Sequence, residues 1–185
     1  TKLAPTSAAP TAKTQEATQA DPPATTTPAE GSAKKPTTNV IKVINNWVGE
    51  AAKKLKIRLS NVNIKSSTDA AMTVSGDGNT KIELDGKNTL DSSNVSGKAG
   101  LNKQGNGTMT ITDEKTDGGE TRTSKAADDK TGSLTVVGGV GAAGIGGNSA
   151  PSSDSGVGDT KNITIEGYAT VDATSGKNGD TGICG

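Results

Sequence analysis

The densest set of side chains able to hold a hard cation lies in one stretch, "DEKTDGGETRTSKAADDKTG", Asp113 to Gly132. Asp113, Asp117, Asp128 and Asp129 offer carboxylate oxygens at short spacing, the donor type that calcium takes. Lys115, Arg122, Lys125 and Lys130 neutralise much of that field, and the spacing follows no calcium-loop pattern. The expectation is a solvated surface loop in which calcium is the cofactor to test, with no other cofactor called for. Two rings are available for stacking against a sugar, Trp47 and Tyr168. Trp47 reads first as a cap over the start of the fold, and Tyr168 follows Gly167 at a corner. Acid–base chemistry has little to draw on, because the chain has no His and a single cysteine, Cys184. That cysteine reads as a small filler ahead of an intermolecular disulfide donor, and no intramolecular disulfide framework exists.

Those residues must be positioned by a chain of 185 residues that is 29% hydrophobic and 1% aromatic. The rings that usually dominate burial are missing, so only a narrow aliphatic core between repeated turns is expected. Lys+Arg and Asp+Glu are 20 each, so no net field recruits nucleic acid or an anionic membrane surface. No apolar run has the length of a membrane span. Residues 1–38 are rich in Thr, Ala and Pro with Leu3 as the only large aliphatic, and they read as a disordered linker or stalk. Residues 39–55 read as an N-terminal capping segment. Within it, "VIKVI" favours a strand from Val40 to Ile44, followed by a short irregular or helical piece from Trp47 to Leu55. The apolar spacing also admits one long amphipathic helix over the same residues.

Residues 56–185 carry an internal repeat. "KIRLSNVNI", "KIELDGKNTL", "TMTITDE" with "GSLTVVGG", and "NITIEGYATV" share one form: an alternating strand, a turn, then a second short strand. Alternation puts Ile57 and Leu59, Ile82 and Leu84, Met109 and Ile111, and Ile163 and Ile165 on one face. The second strand places Val62 and Ile64, Leu90, Leu134 and Val136, and Ala169 and Val171 inward. A third side follows in each unit: "DAAMTVSG", "GKAGLNKQG", "GAAGIGGNS" and "GDTGICG". Ile57 to Ile82 is 25 residues, Ile82 to Met109 is 27, and Met109 to Ile163 is 54, the last unit carrying the inserted loop at 113–132 and a second insertion after Ile145. Three short strands per turn of roughly 25 residues predict an all-β fold: a short right-handed parallel β-helix of about four rungs.

The phrases "LSNVNI", "ELDGKNTL", "AGLNKQGNGTMTIT", "GSLTVVGG", "GAAGIGG" and "NITIEGYATV" resemble the repeat regions of secreted, surface-attached bacterial proteins of the carbohydrate-binding and pectate-lyase-like β-helix kind. The resemblance implies an extracellular or cell-surface setting and a polysaccharide or a host or cell-surface ligand as partner. It points to no catalytic residue. The chain departs from the repeat at Cys184 and at the charged loop, and the final Gly-Ile phrase is normally followed by more chain, so a truncated C-terminal end is expected.

Polysaccharide cleavage on such a scaffold needs carboxylates gathered on one face, beside an Arg or Lys base for a lyase. The outward positions of the first strands, Arg58, Ser60, Lys81, Glu83, Thr110, Thr164 and Glu166, read as a mixed face without a carboxylate cluster. The expected function is therefore a non-catalytic structural spacer or adhesin. A calcium-dependent lyase is the rival, and self-assembly through open ends is a third reading.

Overall fold

The structure is a computed structural model that describes residues 35–49, 54–114, 116–117, 120–121, 132–149, 160–179 and 182–183. Residues 1–34 of the expected 1–38 linker, Cys184, Asp128 and Asp129 lie outside the described residues, while Thr37, near the linker's end, forms a parallel bridge to Ser66. Fourteen strands and no helix occur among the described residues. They are β1 (Ile41–Ile44), β2 (Leu55–Ser60), β3 (Asn63–Lys65), β4 (Met72–Ser75), β5 (Thr80–Asp85), β6 (Lys87–Asp91) and β7 (Leu101–Lys103). After these come β8 (Met109–Asp113), β9 (Thr116–Asp117), β10 (Glu120–Thr121), β11 (Ser133–Val137), β12 (Ile145–Gly146), β13 (Ile163–Gly167) and β14 (Thr170–Thr174).

Apart from the small β9–β10 antiparallel ribbon inside the charged insertion, every pairing is parallel. The first sheet runs β2-β5-β8-β13, the second β3-β6-β11-β14 and the third β1-β4-β7-β12. The chain thus visits the three sheets in a fixed cycle and returns to each one strand higher. An all-β, β-helix-like arrangement of three parallel four-stranded sheets results, and Ile183 adds a single bridge to Ile145 beyond the third sheet.

Parallel pairing stacks like on like, so the core is a set of columns rather than a globule. Ile41, Met72, Leu101, Ile145 and Ile183 form one column in the third sheet. Ile57, Ile82, Ile111 and Ile165 form another in the first sheet. Ile64, Leu90, Val136 and Ala173 form a third in the second sheet. Met72, Ile82, Leu90, Leu101, Ile111 and Ile145 are fully buried, each stabilising the fold by about 1.5–3 kcal/mol through its area removed from water. The third-side phrases fall where the repeat put them, and Ile145 of "GAAGIGGNS" sits directly over Leu101.

Two registers differ from the sequence reading. Ile82 pairs with Ile111, while Met109 lies over Thr80, so the step between these rungs is 29 residues rather than 27. The corner before each strand explains the difference. "SGDGNT" at Ser75–Thr80 and "QGNGTM" at Gln104–Met109 stack as matched turns: the Asp77 carboxylate accepts the Asn106 N–H (3.0 Å), and Asn79 Oδ1 accepts the Thr108 N–H (3.0 Å). Equal corners force Met109 over Thr80. In the second sheet Ala169 and Val171 both pack against the core as expected, but the pair that lies over Leu134 and Val136 is Val171 and Ala173, Ala169 standing just before the strand.

At the N-terminal end, Ile41–Ile44 is a strand, as "VIKVI" suggests, and it pairs in parallel with β4 as the first strand of the third sheet. Asn45 to Gly49 is irregular, so one continuous helix over this segment does not form; residues 50–53 are outside the described set.

Candidate functional site

Besides Thr80, which lies in the column of Leu55, Met109 and Ile163, three polar residues occupy inward positions that the repeat would fill with aliphatics, and each sits where the chain turns a corner. Asn88 shares a column with Leu134 and Val171. Its Nδ2 donates to the carbonyls of Asp85 (3.2 Å), Gly86 (3.4 Å) and Ser133 (3.2 Å), and its Oδ1 accepts the Val62 N–H (2.9 Å). Lys103 follows Val43 and Val74, and its buried Nζ donates to the carbonyls of Gln104 (3.2 Å) and Gly105 (2.9 Å). Burial pushes the Lys103 ammonium below its usual range, partly offset by nearby Asp77. Asp113, one residue past the Glu83–Thr112 pair, is fully buried, and its carboxylate accepts the Gly132 N–H at 2.8 Å. These groups satisfy backbone atoms that a corner leaves out of the ladders. Asp113 therefore fastens the two ends of the charged insertion together.

That placement bears on the calcium candidates. Asp113 faces inward and is engaged at the base of the insertion. Asp117 lies on the β9 backbone, and Asp128 and Asp129 fall outside the described residues. Among the described residues no group of three His, Cys, Asp or Glu side chains gathers to hold a metal ion. Of the two aromatic candidates, Trp47 is half exposed beside Asn45, Lys54 and Leu55, its backbone N–H donating to Asn45 Oδ1 (3.2 Å). Tyr168 is half-buried, and its backbone N–H donates to the Asp113 carbonyl (2.9 Å). The two rings lie at different ends of the coil and form no shared platform.

Two grooves concentrate the polar chemistry. The first, of about 230 Å³, lies on the outer face of the first sheet and is lined by Lys56, Ile57, Arg58, Lys81, Glu83 and Glu114. Parallel register puts Lys56 beside Lys81 and Arg58 beside Glu83. Glu114, from the end of β8, folds back over this face: its carboxylate pairs with the Lys81 ammonium, and its N–H donates to Glu83 Oε1 (2.9 Å). The hydrogen bond from Lys81, helped by the charges of Lys81, Lys56 and Arg58, holds the Glu114 carboxyl below the usual carboxylate range. Glu83 shifts the other way. Burial raises it, Glu114 and Asp113 add to the rise, and its Oε2 is enclosed without a hydrogen-bond partner. The mixed face expected from sequence is there, but it holds a carboxylate pair that alternation alone did not reveal, because Glu114 reaches the site only by turning out of β8.

A carboxyl raised in the folded state binds its proton more tightly there than in the unfolded chain. Its favourable contribution is present at low pH and is lost as pH rises through the folded value. Replacing Glu83→Gln keeps an acceptor for the Glu114 N–H and removes the buried charge. The variant is expected to be at least as stable as the parent at pH 7, with the difference shrinking as pH falls below the carboxylate range. Chemical denaturation at several pH values checks this, and a variant less stable at pH 7 than at pH 4 relative to the parent contradicts it.

The second groove, of about 230 Å³, crosses the outer face of the third sheet. Lys42, Thr73, Asn102 and Gly146 share one outward column, and Ser75, Gln104 and Asn148 flank it. At one end Asp69 is held between Lys42 (3.2 Å) and Lys98 (3.1 Å) and accepts the Ala70 N–H (2.9 Å). Burial pushes the Asp69 carboxyl up, but the Ala70 N–H and the two ammonium groups outweigh it and hold it below the ordinary value. Asn102 is 2% exposed, and its Oδ1 has no hydrogen-bond partner. Gly146, its neighbour in the column, is itself buried and contributes no side chain there. An enclosed amide without its bond costs about 1–3 kcal/mol, so a structure that keeps one at a groove floor holds capacity for a ligand's hydroxyl or amide.

No family model, curated protein or solved structure matches the chain. No helix among the described residues is long and apolar enough to cross a membrane.

Proposed function

We propose that the chain is a non-catalytic module of a secreted or surface-attached bacterial protein, a short right-handed β-helix that acts as a structural spacer or adhesin and binds polysaccharide. The observation that carries the binding part is the third-sheet groove. Its floor offers hydroxyl, amide, ammonium and carboxylate groups in a row across adjacent strands, with the Asn102 amide only partly satisfied. Such a set matches the mixed donors and acceptors of a sugar chain, and the regular strand spacing of about 4.8 Å suits a repeating ligand. Trp47 and Tyr168, being separate, would add at most one ring at an end.

The lyase alternative draws on the first-sheet groove, where Lys81, Arg58 and the Glu83–Glu114 pair meet. Mutual pairing there favours a structural role: the carboxylate a cation-bound substrate would present is already supplied by Glu114. A glycan array with fluorescently labelled chain, run beside an ultraviolet assay for unsaturated product from polygalacturonate with calcium at alkaline pH, separates the two. Glycan binding without product is expected. Unsaturated product would establish the lyase instead, and neither signal would leave only the spacer role standing.

A further inference from the structure

The two ends of the coil differ in charge while matching in register. On the first-rung edge, the outward side chains are Lys56, Arg58 and Ser60 of β2 and Asn63 and Lys65 of β3, so every charge among them is positive. On the last-rung edge they include Glu166 of β13 and Asp172 of β14, both exposed. β2 and β3 begin their sheets, and β13 and β14 end them, among the described residues. The column that starts at Arg58 passes through Glu83 and Thr112 and finishes at Glu166. In matching columns the inward residues at the two edges are alike: Leu55, Ile57 and Ile64 at one, Ile163, Ile165 and Ala173 at the other. Ile165 is 40% exposed and Leu55 is 42% exposed, so apolar surface remains at both edges.

We propose that a second copy of this chain docks head to tail, its β2–β3 edge continuing the β13–β14 edge in the same parallel register. Arg58 of the incoming copy then falls beside Glu166, Ile57 over Ile165 and Ile64 over Ala173, and the exposed strands of both edges are covered except at the end of β3, where Thr37 already bonds to Lys65 and Ser67. The contact is heterologous, so repetition gives an open filament instead of a closed dimer. The third sheet adds a constraint. It already spans five levels, from β1 to the Ile183 bridge, whereas the other two sheets span four. The incoming β1 would arrive at the level of Ile183, and its four residues displace that single bridge from β12.

Sedimentation velocity of the whole chain over a range of concentrations, at low salt and at roughly 0.5 M salt, tests the proposal. Mass is expected to rise with concentration and to fall back at high salt. Glu166→Lys and Arg58→Glu should each weaken association by roughly tenfold or more, with circular dichroism confirming the fold. An equimolar mixture of the two variants, or the chain carrying both changes, should recover it. A strict monomer at every concentration overturns the proposal, as does association that survives both reversals. Association sensitive to Glu166→Lys alone overturns it in favour of contact between two last-rung edges.

Discussion

Gly105→Ala is expected to lower the free energy of unfolding by about 2–5 kcal/mol, through two effects that add at one corner. Gly105 has φ of 78°, in the left-handed region where a Cβ is disfavoured, and a Cβ there would lie 2.5 Å from the Gly76 carbonyl oxygen of the rung below. The neighbour is backbone, so it cannot swing aside as a side chain would. Gly97 separates the two effects. Its φ is 73°, but a Cβ there meets nothing closer than Ser149 Cβ at 3.5 Å. Gly97→Ala should therefore show the conformational effect alone, about 1–2 kcal/mol. Urea unfolding of the two variants checks the pair, and equal losses would mean that the corners are not stacked as described.

Leu101→Ala is expected to cost about 2–5 kcal/mol, the range for removing a large aliphatic from a closed core. Leu101 is fully buried between Met72 below and Ile145 above, and the core holds no aromatic ring that could relax into the space. The column structure gives a further expectation. Ile183 belongs to the same column but is 42% exposed, so Ile183→Ala should cost less than about 1 kcal/mol. Thermal and urea unfolding measure both. Comparable losses at the two sites would contradict a column that is closed at Leu101 and open at Ile183.

Much of the architecture was legible because a parallel coil writes each side of a rung as a separate phrase. "KIRLS", "KIELD" and "NITIE" alternate with period two, and the Gly-Ile phrases mark a third side, so the cycle of three sheets could be read without any pairing information. The register of the third rung was not legible from alternation alone. Met109 and Ile111 both suit an inward position, and only the equal length of the stacked Gly76–Gly78 and Gly105–Gly107 corners decides that Ile111 follows Ile82. The inward roles of Asn88, Lys103 and Asp113 escaped the sequence for a related reason. Residues of these types ordinarily mark turns or solvent, and their inward role depends on corner carbonyls and N–H groups that exist only once the coil has closed.

The grooves were the least legible part. Lys42, Asp69, Asn102 and Asn148 are separated by whole rungs in sequence, and the column that unites Lys42, Thr73 and Asn102 appears only with the parallel register. The charged insertion drew attention because its carboxylates are adjacent in sequence. In the structure its first member, Asp113, is a buried clamp for the insertion's ends.

Binding through the third-sheet groove is tested most directly by calorimetric titration of the best glycan from the array into the chain and into its Asn102→Leu variant. Leucine keeps the branched shape, with somewhat larger bulk, and removes the enclosed, unpartnered oxygen, so stability should stay within about 1 kcal/mol of the parent while glycan affinity falls at least about tenfold. Trp47→Ala should leave affinity within about threefold of the parent. Unchanged affinity in Asn102→Leu, with the loss appearing in Trp47→Ala, would contradict the assignment of the groove as the binding site.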